Sequence, residues 1–169
     1  YSSRDHVLAN FLGGWRFNPH CFLYIQKESR PRTYTTAEGT FNYTRILIGT
    51  KEGSILTYAG WKNTTNPSAR SFFKPDVEDS LLGLANTTRG SANSWTNLKN
   101  NQLSFDLQDN HFELSLASGG KGFYIPSLST PNLYLLKLEI LPTGNKIFYE
   151  YEGDLICQIK MTNSQEEKV

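Results

Sequence analysis

Alternation of apolar and polar side chains near the C-terminus is the feature that most constrains how this chain can fold. Within residues 132–141, the apolar side chains expected on one face are Tyr134, Leu136, Leu138 and Ile140. Lys137 and Glu139 are expected on the opposite face, because successive side chains of a strand point to opposite sides. This period of two predicts a half-buried β-strand.

The alternation continues through two further segments, which predicts a three-stranded meander. The connection at residues 142–145 contains Pro, Gly and Asn, which suit a tight turn. Tyr149 and Tyr151 on the return strand are expected to pack on a sheet face as scaffold. The apolar face is predicted to continue on the third strand through Leu155, Cys157, Ile159 and Met161. Soluble monomers rarely expose such a face, so we predict that residues 132–161 belong to the core sheet.

Turn residues separate short apolar segments along most of the chain, a pattern typical of antiparallel β proteins. The predicted strands are residues 21–27, 39–49, 54–61, 70–74, 102–107, 110–116, 132–141, 145–152 and 155–161. The helix candidate lies within residues 1–13, and residues 75–101 form a long polar excursion. A length of 169 residues suits one domain. We therefore predict a single all-β domain over residues 1–169, an antiparallel β-sandwich with at most one short N-terminal helix.

Charge and hydropathy argue against two classes of partner. The chain has 17 basic and 16 acidic residues and a formal net charge of +1. Nucleic acids and anionic membranes favour a basic excess, so neither is expected as the main partner. No apolar run approaches the roughly 18 residues of a transmembrane helix, so membrane insertion is not expected. Because the chain begins at Tyr1 rather than Met, we expect it to be an excised part of a longer protein.

Residue types that carry catalysis or bind metals do not fall into recognised patterns. The histidines, His6, His20 and His111, lack the i, i+4 helical spacing of a zinc protease. The Gly-rich segment 117–124 lacks the Ser or Thr that follows the lysine of a phosphate loop, so it is predicted to be a flexible turn. The acidic cluster at 76–79 lacks EF-hand spacing and is interpreted as a solvated turn. We predict that the protein is not an enzyme and has no metal and no cofactor.

The two cysteines, Cys21 and Cys157, lie near opposite ends of the chain. Terminal strands of a β domain are often neighbours, so a disulfide between them is geometrically feasible. The favoured interpretation is two free thiols, each acting as a small buried hydrophobic residue.

Two segments combine an aromatic ring with closely spaced polar groups, as sugar-binding sites require. A sugar offers an apolar C–H face that stacks on a ring, and hydroxyls that bind amides, hydroxyls and guanidinium groups. Residues 58–70 and 85–95 supply both kinds of group. The candidate glycan-binding residues are Trp61, Asn63, Asn66, Arg70, Thr88, Arg89, Asn93 and Trp95.

Residues 129–154, which read STPNLYLLKLEILPTGNKIFYEYEGD, resemble a segment of the glycan-binding head of the rotavirus outer-capsid spike protein. The resemblance rests on the order Ser-Thr-Pro-x-Leu-Tyr, a Gly and Lys-Ile turn, and a Tyr-x-Gly return. It implies a galectin-like sandwich and a lectin that attaches the virion to host cell-surface glycans. The partners it implies are those glycans and the rest of the spike protein. The head's sugar-binding residues have no match here, so none is carried over.

Residues 10–17, which read NFLGGWRF, are similar to the Phe-x-Gly-x-Trp entry of lipocalins and other calycin barrels. In that family a Trp on the first strand closes the floor of a barrel, and Trp15 occupies the matching position. This resemblance implies the alternative function, a barrel that binds a small apolar ligand in an enclosed pocket.

Overall fold

The computed structural model describes residues 22–49, 55–76, 101–163 and 165. Eleven β-strands and no helix occur in this part of the chain. The strands are β1 (Phe22–Gln26), β2 (Thr33–Thr36), β3 (Gly39–Gly49), β4 (Ile55–Asn63), β5 (Ser71–Pro75), β6 (Gln102–Asp106), β7 (His111–Ser115), β8 (Lys121–Pro126), β9 (Leu133–Ile140), β10 (Lys146–Glu152) and β11 (Leu155–Thr162). The helix candidate within residues 1–13 and Trp15 lie outside the described residues.

The strands form one antiparallel sheet that closes on itself. From β3 to β11 each strand pairs with the next in the chain, and β1 pairs with both β3 and β9. The ring therefore contains eight strands, β1 and β3 to β9, in an up-and-down barrel. β4 pairs along nearly the whole of one edge of β3. The other edge of β3 is shared by β2, which pairs with its first residues, and β1, which pairs with its last residues.

The prediction of an all-β antiparallel fold is confirmed, whereas the predicted sandwich is replaced by this closed barrel. The physical reason is β8, which begins within residues 117–124, the segment predicted to be a flexible turn. β8 pairs with β7 on one side and β9 on the other, so the sheet runs without a break from β7 to β9. Pairing of β9 with β1 then completes the ring and removes the free edges that a sandwich would leave.

The barrel interior is filled by alternate side chains from all eight strands of the ring. The buried core consists of Leu23, Ile46, Ile48, Leu56, Tyr58, Phe73, Leu103, Phe105, Phe112, Leu114, Tyr124, Tyr134 and Leu136, with Tyr149 added from β10. The ring centroid of Phe112 lies 4.7 Å from that of Phe105 and 4.8 Å from that of Tyr134. Each large side chain buried in this way stabilises the fold by about 1.5–3 kcal/mol.

A register shift between β8 and β9 changes the side chains that β9 turns inward. Tyr124 pairs with Leu136 but Phe123 pairs with Leu138, so Lys137 is an additional residue in β9. Such a bulge reverses the alternation beyond it. Glu139 consequently lies opposite Gly122 and lines an internal cavity. The expectation that Glu139 points to the outer polar face was wrong for this reason.

The C-terminal meander is confirmed, because β9, β10 and β11 pair in order. The continuous apolar face predicted on its third strand was wrong. A register shift between Glu150 and Tyr151 interrupts the pairing, and within the described residues β11 pairs only with β10. Leu155 is 40% exposed and Ile159 is 43% exposed. Cys157 is a free thiol that is exposed rather than buried, and Cys21 lies outside the described residues.

Candidate functional site

A cavity of about 320 Å³ opens at one end of the barrel. This end, here called the mouth, is where β3, β7 and β9 finish at Gly49, Ser115 and Ile140. Inward-facing core residues form the walls of the cavity: Ile48, Leu56, Leu114, Tyr124 and Leu136. Further apolar residues surround its opening: Leu116, Ile140, Leu141 and Pro142. The cavity is therefore a mostly apolar recess that the core leaves unfilled at the mouth.

Gly122 accounts for part of this open space. It pairs with Leu114 on β7 and with Glu139 on β9, and it lines the cavity. A Cβ atom at Gly122 would lie 3.3 Å from side-chain atoms of both Leu136 and Tyr124. Any larger side chain would therefore enter the cavity or displace its walls.

Two charged residues also line the cavity, and they differ in their surroundings. The Lys121 ammonium lies 2.9 Å from Oε1 of Glu113, with which it forms an ion pair. Glu139 is half-buried, and its Oε2 accepts a hydrogen bond of 3.4 Å from the Tyr149 hydroxyl. Because Tyr149 is fully buried, this hydrogen bond comes from a fixed position in the core.

The ends of the long polar segment also lie close to the mouth. The amide of Asp76 donates to the carbonyl of Thr57, and the amide of Ala117 donates to Oδ1 of Asn101. Ala117 directly follows Leu116, which lines the cavity opening. Residues 77–100 lie outside the described part of the chain. The predicted site residues Thr88, Arg89, Asn93 and Trp95 are therefore not placed by the structure.

The other predicted sugar-binding segment, residues 58–70, contributes an aromatic ring to the outer surface of the barrel. Trp61 is 37% exposed and Tyr34 is 40% exposed. The Trp61 ring meets those of Tyr34 and Tyr43 edge-on at 4.6 Å and 5.4 Å, and Tyr34 stacks on Phe41 at 4.9 Å. Arg32 lies 3.7 Å from the centroid of the Tyr43 ring. We call Tyr34, Phe41, Tyr43 and Trp61 the outer aromatic patch.

The two asparagines of this segment hold its turn together. Asn63 is fully buried, and its Oδ1 accepts from the amides of Thr65 and Asn66 at 3.0 and 2.9 Å. Asn66 donates from Nδ2 to the carbonyl of Glu38 and accepts at Oδ1 from the amide of Ser68, both at 3.0 Å. These bonds fix the β4–β5 turn and join it to the β2–β3 turn. A shallow polar depression of about 410 Å³ lies between the two turns.

Arg70 belongs to an ionic network on the outer surface. Its guanidinium lies 3.2 Å from Glu113 and 3.5 Å from Asp106. Partial burial acts to raise the pKa of Glu113, but hydrogen bonds and charges from Lys121 and Arg70 hold the pKa below its usual value. The structure therefore does not join the four predicted residues of segment 58–70 in one site: Trp61 contacts rings of β2 and β3, whereas Arg70 contacts carboxylates of β6 and β7. The two asparagine amides and the Arg70 guanidinium all have protein partners.

Asp106, Asp109 and His111 form a cluster whose ligand atoms lie within 4.8 Å of one another. Protein contacts account for Asp106, since Oδ1 accepts from the amides of Gln108 and Asp109. Partial burial acts to raise the pKa of Asp106, but these amides and the charges of Arg70 and His111 lower it overall. The contacts that the structure shows for the Asp106 carboxylate are thus with protein groups, the two amides and the Arg70 guanidinium. The absence of a bound metal stays a prediction.

Comparisons of the chain with protein-family models, curated proteins and solved structures found no match. The resemblances of residues 129–154 and 10–17 to known families therefore stay predictions. Within the described ranges, no helix is long and apolar enough to cross a membrane. No local sequence pattern indicated the mouth cavity, because its walls come from strands that are distant in the chain.

Proposed function

We propose that this protein binds a small apolar molecule in the mouth of its barrel, which was the alternative function in the sequence analysis. The observation that carries the proposal is the apolar cavity of about 320 Å³ among the ends of the strands. Eight-stranded barrels are just wide enough either to be filled by side chains or to hold one small ligand. Small-molecule sites typically have volumes of roughly 300–1,000 Å³ and apolar walls.

The volume also limits the size of the ligand. One water molecule occupies roughly 30 Å³ of the liquid, so the cavity corresponds to about ten water-sized volumes. A ligand with roughly ten non-hydrogen atoms fits this space. Each CH₂ group transferred from water to the apolar walls would favour binding by about 0.8 kcal/mol before the costs of association.

A blocking substitution at the opening tests the proposal. Leu116 lines the cavity and is 41% exposed, so Leu116→Trp should obstruct the opening without disturbing the core. The matched control is Leu155→Trp, at a site 40% exposed on β11 and outside the cavity lining. We expect the wild type and the control to take up a small environment-sensitive apolar dye saturably, and Leu116→Trp to bind it about tenfold more weakly or worse. Equal dye binding by the two variants would place the ligand elsewhere, and no saturable uptake by the wild type would rule out the proposal.

Glycan recognition on the outer surface is the second candidate function. It is favoured by the exposed Trp61 and Tyr34 rings and by the shallow polar depression, which is lined by Thr35, the residue after Tyr34. Rings and hydroxyls at a shallow surface are the groups that stack on and hydrogen-bond to sugars. On this proposal the chain is a non-enzymatic attachment module that binds host glycans from a virion surface, as the spike-head resemblance implies.

A glycan array distinguishes the second candidate from the first. Trp61→Ala should abolish binding to a responsive glycan, because it removes the stacking ring. Phe72→Ala is the matched control, since Phe72 is 55% exposed but lies outside the outer aromatic patch. Arg89→Ala tests the other predicted segment. A silent array, or equal binding by both aromatic variants, would argue against recognition at this patch.

A further inference from the structure

A lysine lies among aromatic side chains at the end of the barrel opposite the mouth. Lys62 is the penultimate residue of β4 and shares the inward face of that strand with Tyr58, four residues earlier. Its ammonium nitrogen lies 4.2 Å from the centroid of the Phe105 ring and 5.9 Å from that of the Phe112 ring. Both rings are fully buried in the core, so the amine of Lys62 lies at an apolar surface inside the barrel.

No carboxylate among the described residues neutralises this ammonium. Within those residues Lys62 has its two ring contacts and no hydrogen bond or ion pair. The acidic residues on β6 and β7, Asp106 and Glu113, are both paired with Arg70 in the outer ionic network.

Other titratable groups on the strands around Lys62 also have their own partners. Arg45 on β3 is paired with Asp76. The Tyr134 hydroxyl on β9 donates to the β6–β7 turn at 3.1 Å, and the His111 ring lies 6.0 Å from that of Phe123 on β8. The chemistry of the Lys62 amine is therefore set by its apolar surroundings rather than by a paired charge.

These surroundings favour the neutral form of the amine. Loss of water disfavours the ammonium form, so burial lowers the pKa of Lys62. The Phe105 ring attracts a cation, but it carries no net charge and offsets less of the lost hydration than a carboxylate would. A neutral lysine amine is a nucleophile that adds to carbonyl compounds. Lys62 is half-buried, so it keeps contact with solvent, from which a small reagent can reach the nitrogen.

We propose that Lys62 is a site at which the protein captures small apolar aldehydes covalently. The amine nitrogen adds to the carbonyl carbon, and the carbinolamine that forms loses water to give an imine. The aldehyde oxygen leaves in that water together with the two protons of the amine, so the step needs no oxidant or reductant. A small apolar aldehyde is the class that fits, because the amine is half-buried beside the Phe105 ring and a strongly hydrated reagent would lose water there. The site is at the other end of the barrel from the mouth and does not depend on the ligand proposed there.

Competition among the lysines of the folded, full-length chain tests this proposal. The protein is treated at pH 7 with a limiting amount of propanal, and cyanoborohydride reduces each imine to a stable secondary amine. Peptide mass spectrometry then gives the labelling rate at every lysine. The internal control is Lys74, an exposed lysine on β5. We expect Lys62 to be labelled at least about threefold faster than Lys74, because more of its amine is neutral at this pH. Labelling of Lys62 no faster than Lys74, or a preference for Lys121 at the mouth, would overturn the proposal.

Matched variants check the assignment by intact mass. Lys62→Arg keeps a cation beside the rings but has no amine that forms an imine, so it should lose the first, fast adduct. Lys74→Arg should keep that adduct. Loss of the fast adduct in both variants or in neither would contradict capture at Lys62.

Two further measurements on the wild type separate the environment of the amine from its accessibility. The ratio of the Lys62 rate to the Lys74 rate should fall as the pH rises from 7 to about 10, because exposed lysines also become neutral near a pKa of about 10.4. A constant ratio would show that accessibility alone sets the preference. In concentrated urea the two rates should become equal, because unfolding removes the Phe105 and Phe112 rings from the amine. A preference that persists in urea would assign its cause to the local sequence and overturn the proposal.

Discussion

The Tyr151 hydroxyl donates a hydrogen bond of 2.7 Å to the main-chain carbonyl of Leu136. This bond lies at the seam where the barrel closes. One edge of β9 pairs with β1 over Leu133–Leu135 and with β10 over Leu138–Ile140. Leu136 falls between the two ladders. A tyrosine side chain thus supplies the hydrogen bond that a neighbouring strand would otherwise make. Tyr151 also packs against the main core and against a smaller cluster of Phe22, Leu133 and Leu135.

Removing the Tyr151 hydroxyl should weaken this seam. Tyr151→Phe keeps the ring but leaves the Leu136 carbonyl without that donor, which typically costs about 1–3 kcal/mol of unfolding free energy. Tyr24→Phe is the matched control, since Tyr24 packs against the same small cluster of Phe22, Leu133 and Leu135. Urea denaturation of both variants measures the difference. Equal losses in the two variants would show that the hydroxyl contributes nothing specific to closure.

Tyr58 is the opposite case, a buried hydroxyl without a hydrogen-bond partner among the described residues. Burial raises its pKa from 10.0 to about 12, and the Asn101 side chain, which lies near the hydroxyl but not in hydrogen-bond geometry with it, acts to lower the pKa. Between these values the unfolded state loses its proton while the folded state keeps it. Folding stability should therefore fall as the pH rises from about 10 to about 12.

Tyr58→Phe separates this effect from general alkaline unfolding. The variant should be as stable as the wild type or about 1 kcal/mol more stable at neutral pH, because an unpaired polar group leaves the core. The stability of the variant should also fall less than that of the wild type as the pH rises from about 10 to about 12. Chemical denaturation across that pH range checks both points. A variant that is clearly destabilised at neutral pH would show that the hydroxyl has a partner after all.

Local sequence patterns predicted most of the strands, because alternation and turn residues act over short distances. β3 has the predicted bounds, Gly39–Gly49. β8 was missed because Gly119 and Gly120 precede it and Pro126 ends it, which together favour a turn. β2 was missed because all four of its residues are exposed, so it lacks the apolar alternation of a half-buried strand.

Features that depend on distant partners were not predictable in this way. Closure of the barrel requires β1 to meet β9, and no local pattern encodes that pairing. The bulge at Lys137 exists only relative to β8, yet it decides that Glu139 faces the cavity. The Asn63 amide looked like a sugar contact because the sequence shows its chemistry but not the turn amides that occupy its oxygen. Composition therefore indicated which groups are present, and the register determined where they point.

The Asp154 carboxylate joins the β8–β9 loop to the final hairpin. It accepts hydrogen bonds from the hydroxyls of Ser127 and Thr130, and the Ser127 hydroxyl in turn accepts from the amides of Ser129 and Thr130. Asp154→Ala should destabilise the fold by about 1–3 kcal/mol, because several donors lose one shared acceptor. Asp109→Ala, at an exposed turn position, is the control. Thermal unfolding measures both, and a loss in Asp154→Ala no larger than in the control would contradict the role of this loop anchor.

Two glycines with positive φ allow a steric effect to be separated from a backbone effect. Gly39 has φ +139°, and a Cβ there would lie 2.9 Å from Oγ1 of Thr65 and 3.2 Å from Oδ1 of Asn63. Gly119 has φ +94°, and a Cβ there would meet nothing within 4 Å. Both alanine variants carry the backbone penalty of a positive φ, roughly 1–2 kcal/mol, whereas only Gly39→Ala must also displace side chains of the β4–β5 turn. We therefore expect Gly39→Ala to be the more destabilised of the two in chemical denaturation. Similar losses would mean that the turn yields to the added methyl group and that the bonds of Asn63 do not hold it rigidly.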